Sequence, residues 1–376
     1  MLPRAYIIGL LCSTRVAYGA SDSPNSAFKP YTIQAPNISA TFISYGARLT
    51  SLLVPDRNET VHTYYGAVVG RYANRIKNGT FTVDGNKHHV SLNGPHGLYT
   101  LHGGTVGYDQ RKWNVSSSTW SSITFSLYDP GFEGFPGDAI TNATYTVSSG
   151  ADGLPQLTTE LTSISLTQKT PIMLTNHIYW NLNTFLAPTI EHDTWLQLPL
   201  SHRLVGVDNI EVPTGKLFDV TTSYGGSADF LKGKLIGADI KKTSGLCGQN
   251  CLGYDDCMIV DRPPKYEPNA LVPVVRMNSK LTGISMERMS DQKAVHIYTC
   301  NGVGPSPVKQ SQIKRNKAKG HAGVDFVHSH GCIAIEPYGW IDGINNSQWG
   351  QRPFQIFGPE EGPARNLAVY KFRTIP

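Results

Sequence analysis

Residues 174–182, LTNHIYWNL, divide cleanly under a period of two. Leu174, Asn176, Ile178, Trp180 and Leu182 fall on one side, and Thr175, His177, Tyr179 and Asn181 on the other. The pattern predicts a strand with one mostly apolar face and one face of hydrogen-bonding groups, of the kind that lines a cleft. Further strands are predicted where the alternation repeats, at 121–130, 142–149 and 154–167, with Leu157, Thr159 and Leu161 on one side of the last. FTVDGNKHHV (81–90) predicts a hairpin around Asp84-Gly85, a two-residue turn signal. KAVHIYTCNG (293–302) and HGCIAIEPYG (330–339) predict buried strands near the end. Long helical periodicity is absent, and SADFLKGKLIG (227–237) is the best short-helix candidate. Closely spaced strands with Gly and Pro turns between them predict an all-β sandwich or barrel rather than βαβ units.

Length and composition refine this picture. The chain has 376 residues, enough for one large all-β domain or two ordinary ones. No composition break or fixed-period repeat marks a second domain, so one domain over 21–376 is expected. Hydrophobic residues make up 40% and charged residues 16%, which allows a large core under a neutral-polar surface. The net charge of +5 is modest, and much of it sits in VKQSQIKRNKAKGHAG (308–323), so it does not argue for nucleic acid. That segment reads as a solvated, mobile insertion loop, with a patch for acidic polysaccharide as the sharper alternative.

The N-terminus has a positive Arg4, an apolar run from Ala5 to Cys12, and small residues at Ala17, Gly19 and Ala20. This is the layout of a secretory signal peptide over residues 1–20, too short to span a bilayer. Six sequons, at Asn37, Asn58, Asn78, Asn114, Asn142 and Asn345, fit a secreted, glycosylated protein. Five cysteines remain after the leader: Cys247, Cys251, Cys257, Cys300 and Cys332. An odd count leaves a free thiol or an intermolecular bond. Cys247, Cys251 and Cys257 resemble zinc ligands in spacing, but in an oxidising compartment a disulfide among them is the stronger expectation.

Several residues carry chemistry. Glu336 ends the apolar run CIAIE, where burial raises a carboxyl pKa and suits proton transfer. His177 lies among Asn176, Tyr179 and Asn181. GRYANRI (70–76) places Arg71, Asn74 and Arg75 together, and LHGG (101–104) sets His102 before two glycines that permit close approach of a ligand. A histidine and a carboxylate with Arg, Asn and His donors suit a sugar, whose hydroxyls need paired donors and acceptors. Phosphate-loop, dinucleotide, HExxH and G-x-S-x-G motifs are all absent.

The chain resembles the aldose 1-epimerase (galactose mutarotase) family. The matching segments run in order: YGARLTSLLVPD (45–56), GRYANRI, FTVDGNKHHVSLNG (81–94), LHGG, EGFPGD (133–138), TNHIYWNL (175–182), ADF (228–230), GYDD (253–256), IYT (297–299) and CIAIEP (332–337). The resemblance implies a large antiparallel β-sandwich with an open sugar-binding cleft. It also implies interconversion of the α and β anomers of free aldoses without cofactor or metal. Carried over by position, Glu336 resembles the general base and His177 the general acid, and Asn74, Arg75, His102 and Asp255 match sugar-binding positions. His296 takes a sugar-binding position where the family commonly has Gln, and Tyr338 stands where many members have another Gln. These two departures bear on the preferred sugar more than on the reaction. The expected partner is a small aldose, with neither nucleic acid nor membrane, and a monomer is expected. Competing readings are a secreted carbohydrate-binding protein on the same fold, a glycoside hydrolase or lyase pairing Glu336 with Asp255 or Asp256, and a sugar-phosphate epimerase.

Overall fold

The computed structural model describes residues 24–53, 65–249 and 251–376. The leader over 1–20, Cys12, the Asn58 sequon and the end of the 45–56 motif lie outside the described residues.

Alternation of apolar and polar residues produces two large antiparallel sheets. The first has ten strands, in the order Tyr31–Ala35, Ile38–Ile43, Arg48–Leu53, Tyr65–Val69, Thr175–Trp180, Ile333–Tyr338, Ala294–Tyr298, Asp255–Ile259, Arg203–Val207 and Pro213–Asp219. The second has nine, and its centre is formed by Ile284–Ser290, Ala364–Thr374, Pro155–Ser165 and Ala139–Ser149. Their facing sides form one apolar core. Ile178, Trp180, Met258, Val295, Ile297, Ile333 and Ile335 come from the first sheet, and Leu157, Leu161, Met286, Tyr370 and Phe372 from the second. Thr159 is buried beside Leu157 and Leu161, as the alternation requires.

The first sheet's other face is also covered. Tyr72, Ile76, Phe81, Phe135, Trp340 and Ile341 pack there against Cys257, Ile259, Ala294 and Tyr338. The second sheet on one side and these outer segments on the other therefore cover its central strands, so Ile333–Tyr338 is buried throughout. A polar side chain on this outer face lies in a covered cleft instead of open solvent.

The hairpin at 81–90 forms as predicted, with Thr80–Val83 paired to Asn86–His89 and Asp84 and Gly85 both at positive φ, 48° and 81°. Two expectations fail. Residues 227–237 form turns, a two-residue strand at Lys234–Leu235 and the start of a 3-10 turn. The Asp229 carboxylate caps the Leu231 N–H, and Gly233 at φ 79° lies so close to the Trp195 indole that a Cβ would collide with it. The basic segment is no solvated loop: Gln310–Ala318 is an α-helix with Gln312, Ile313 and Asn316 buried. A single large apolar residue, Ile313, gives no period to read, and the docking includes polar contacts such as Asn316 Nδ2 donating to the Thr184 carbonyl at 3.0 Å.

Cys247 pairs with Cys251 and Cys300 with Cys332, leaving Cys257 as a buried free thiol. A disulfide therefore forms within the first trio, and no three-cysteine zinc site is assembled.

Candidate active site

Strand register places the polar residues. Ala294–Tyr298 pairs His296 with Glu336 on one side and with Cys257 on the other. Tyr298 pairs with Ala334 and with Asp255, and Tyr179 pairs with Ala334. Side chains two residues apart share a face. The outer face of four adjacent strands thus carries one row of His177, Glu336, His296 and Cys257, and a second of Tyr179, Ala334, Tyr298 and Asp255.

In the first row, His177 Nε2 lies 3.4 Å from Glu336 Oε1. The Glu336 side chain is 2% exposed and that of His177 16%. Glu336 Oε2 and His177 Nδ1 are buried without a hydrogen-bond partner, an arrangement that costs free energy unless a ligand or water completes it. Burial, with the charge of Asp255 adding to it, pushes the Glu336 carboxyl up to about 8 against the opposing pull of Arg288 and Arg75. Burial and then the His296 charge pull the His177 imidazole down to about 4. Both shifts favour the uncharged forms, so at neutral pH the pair holds one proton between two groups within reach of a common ligand.

His102 completes the edge. Its Nδ1 accepts the Asn74 backbone N–H at 3.2 Å, its backbone N–H donates to the Asn74 carbonyl at 3.0 Å, and its ring meets that of His177 edge-on at 5.4 Å. Burial, followed by the charges of His177 and Arg75, holds its pKa well below the ordinary value. His102, His177 and Glu336 offer ligand atoms within 4.8 Å of one another, a donor set that a divalent ion can fit. The same atoms are the ones proton transfer would use.

Asn74, at φ 59°, accepts from the Arg75 N–H at 2.8 Å and donates Nδ2 to the Tyr338 hydroxyl at 2.6 Å. The Arg75 guanidinium pairs with Glu211 and lies over the Tyr99 ring at 5.3 Å. His296 Nε2 and Asp255 Oδ1 are 2.5 Å apart. Burial opposes ionisation of Asp255, but the His296 bond and charge outweigh it and hold the pKa low.

Of the sequence candidates, Glu336, His177, His102, Asn74, Arg75, His296 and Asp255 all come together on this face. Arg71 does not, although it shares a motif with Arg75. It is buried in a bridge to Asp129 at 2.8 Å and donates to the Pro136 and Gly137 carbonyls. Asn176 faces the core and donates to the Tyr145 hydroxyl at 2.7 Å, and Asn181 ties its turn to the Gly331 carbonyl at 2.8 Å. The expected Thr–His–Tyr–Asn floor thus loses Asn181 to its turn; Thr175 is fully buried with its hydroxyl unpartnered, and His177 stacks on Tyr179 at 4.8 Å.

Three contributors escaped the sequence reading. Glu211 fixes Arg75 from a distant loop, with no local signal. Glu133, inside the EGFPGD motif, accepts the Thr105 and Val106 N–H groups and so anchors the loop that begins with His102. Arg288 crosses the core to donate to the Ile335 carbonyl, next to Glu336. Its signal was legible: an arginine at an inward position of the alternating run Ile284–Ser290.

An imidazole–carboxylate pair on the outer face of a two-sheet antiparallel sandwich places the protein among the galactose mutarotase-like folds. The solved aldose epimerase homologue from C. elegans superposes with a TM-score of 0.76 at 25% identity, covering 93% of this chain and 99% of its own. The galactose 1-epimerase of Lactobacillus acidophilus shares the fold, with a TM-score of 0.64 over 90% and 92% of the two chains. The aldose 1-epimerase family model matches residues 29–352, and the chain belongs to that family of isomerases. A probable aldose 1-epimerase of Arthroderma benhamiae is 51% identical over 96% of this chain and 89% of its own length. The galactose mutarotase of Rattus norvegicus is 27% identical over 89% and 92%.

Proposed function

We propose that the protein is an aldose 1-epimerase that interconverts the α and β anomers of free aldoses by opening and closing the ring. The observation that carries this reading is the 3.4 Å approach of His177 to Glu336, each with a buried atom left unpartnered. The ionised Glu336 takes the proton of the anomeric O1 hydroxyl while the protonated His177 gives one to the ring oxygen, and the C1–O5 bond breaks. The open-chain aldehyde turns about C1–C2. Glu336 then returns its proton to O1, His177 recovers its own from O5, and the ring closes with O1 on the other face. Each group ends in its starting state, so no co-reactant is needed. In the free site the shared proton rests on Glu336, and sugar binding selects the arrangement with it on His177 by placing O1 at the carboxylate. Arg75, His102, Asn74, Asp255 and His296 supply the donors and acceptors that orient the sugar, and Arg75 stabilises charge developing on oxygen.

The hydrolase reading needs two carboxylates facing one glycosidic bond. Asp256 alternates with Asp255 along its strand and so faces away from Glu336, and Asp255 is bound to His296. The test is polarimetry. Protein added to fresh α-D-glucose or α-D-galactose should speed relaxation to the unchanged equilibrium rotation. Relaxation at the buffer rate for glucose, galactose and xylose alike would remove the reading.

The same proposal includes export through the leader at 1–20. Support comes from the sequons: Asn37, Asn78, Asn114 and Asn345 are exposed and Asn142 is half-buried. Secreted material should begin near Ser21 and shift on a gel after N-glycan removal; an intact Met1 and no shift would count against export.

A further inference from the structure

Beside the row of His177, Glu336 and His296 lies a cavity of about 430 Å³ whose lining includes Asp255. Its walls include Glu211, Gln249, Leu252, Tyr298, Ser329 and His330. Tyr298 follows His296 by two residues on the same strand face, so the cavity continues the catalytic row along the strand direction by roughly 7 Å. The volume is within the ordinary range for small-molecule sites, about 300–1,000 Å³.

The walls are pre-organised. The Cys247–Cys251 disulfide holds one rim, and Cys300–Cys332 ties the segment before Asn301 to the segment after His330. His330 bonds Glu191 through Nδ1 at 2.9 Å and the Leu252 carbonyl through Nε2 at 3.0 Å, closing the loops on each other. A site that is rigid before binding loses less entropy on filling.

The lining chemistry suits a neutral polyol. The Tyr298 hydroxyl accepts the Gly302 N–H at 2.8 Å and leaves its own proton without an acceptor among the described residues. Ser329 Oγ donates to the Asn301 carbonyl at 2.8 Å and keeps its lone pairs. Gln249 offers an exposed amide, and Leu252, 45% exposed, offers an apolar edge for a ring face. Among the described residues no Lys or Arg lines the cavity, and both His330 nitrogens are engaged. Its carboxylates, Glu211 and Asp255, are paired with Arg75 and His296, so the lining is polar with its charges already matched and suits an uncharged ligand.

We propose that this cavity is a second sugar subsite, and that the substrate is the reducing end of a disaccharide or longer oligosaccharide. The inference rests on the epimerase reading above. That chemistry needs a free O1 and places it at Glu336, so an additional sugar has to be linked through a different hydroxyl and extend past Asp255. The occupant is therefore a neutral, reducing glycan.

The experiment compares kcat/KM by polarimetry for freshly dissolved α-lactose, β-maltose, β-cellobiose and the corresponding hexoses. At least one disaccharide should exceed glucose and galactose by tenfold or more. In Ser329→Trp, which fills the cavity from an exposed position, the ratio of that disaccharide's kcat/KM to the hexose value should fall at least tenfold. Gln249→Ala should lower the same ratio by a smaller factor. Efficient turnover of hexoses with every disaccharide slower, or an unchanged ratio in Ser329→Trp, overturns the subsite while leaving the epimerase reading intact. No catalysis with any sugar would instead remove the epimerase reading.

Discussion

His296 lies against Tyr338, ring centroids 5.8 Å apart and planes inclined by 24°. These are the two positions where the chain departs from the glutamines common in the family it resembles, and the departures form one unit. His296 is bound to Asp255, and Tyr338 accepts from Asn74. The stacked rings therefore join residues on either side of Glu336, on a strand whose register puts His296 directly opposite that carboxylate.

A coupled pair is expected to respond non-additively. His296→Gln removes the stack and weakens the hold on Asp255, while Tyr338→Phe leaves Asn74 Nδ2 without an acceptor. Each should lower kcat/KM by roughly tenfold, since losing the partner of a buried polar group costs about 1–3 kcal/mol. The double variant should lose less than the sum, with a coupling of about 0.5–3 kcal/mol. Polarimetry on all four proteins checks this, and strict additivity would show that the two rings act separately.

Glu336→Gln preserves side-chain size and removes the proton acceptor. Turnover should fall roughly 10²- to 10⁴-fold, the range for a general acid–base group. Sugar affinity should change much less, because the amide still bonds a hydroxyl. His177→Asn should reduce turnover similarly. Thermal midpoints should not fall in Glu336→Gln, because the substitution replaces a buried ionisable carboxyl with a neutral isostere. Near-wild-type turnover in the folded variant would remove Glu336 from the mechanism.

The pH dependence follows from the pair. Below about 4, His177 becomes protonated while Glu336 keeps its proton, so the pair holds two protons and no base. Above about 8, Glu336 loses its proton with His177 already neutral, so the pair holds none and no acid remains. A bell-shaped kcat/KM profile is expected, with limbs near these values. In Glu336→Gln the limb near 8 should vanish, and the residual activity, which still needs a protonated His177, should decline with rising pH as that imidazole loses its proton.

The sandwich and the meeting of His177 with Glu336 were legible because burial and alternation follow strand period: His177 and Glu336 sit at positions whose phase differs from the core residues beside them. What was not legible depends on contacts between distant segments. Arg71 and Arg75 are four residues apart, yet one serves a buried bridge and the other the cleft, and nothing local distinguishes them. The helix Gln310–Ala318 docks through Gln312 and Asn316 as much as Ile313, so its sequence looks like solvated loop. Asn176 shows the reverse case, a polar residue at core phase that is satisfied by one buried tyrosine hydroxyl.

Glu133 provides a test of how His102 is held. Its Oε1 accepts the Val106 N–H at 2.9 Å and its Oε2 the Thr105 N–H at 3.1 Å, and Gly104 passes so close that a Cβ there would overlap the carboxylate. His102 itself sits at φ 53°, a backbone geometry that neighbouring contacts must maintain. Partial burial opposes ionisation of Glu133, but bonds from Ser91, Val106 and Thr105 prevail and hold its pKa below the usual glutamate value, so it stays charged throughout the neutral range. Glu133→Ala removes both acceptors and should let the loop, and with it the imidazole of His102, wander from the sugar. Because Glu133 touches no reacting atom, the expected signature is a KM raised about tenfold with a smaller change in kcat, the pattern left by losing binding that ground and transition states share. Glu133→Gln should fall between, since its amide keeps one acceptor but turns a donor toward one of the two N–H groups. A lost fold would appear as a lowered thermal midpoint and reduced kcat together. If folded Glu133→Ala keeps KM within twofold of wild type, the bonds from Asn74 alone are sufficient to position His102.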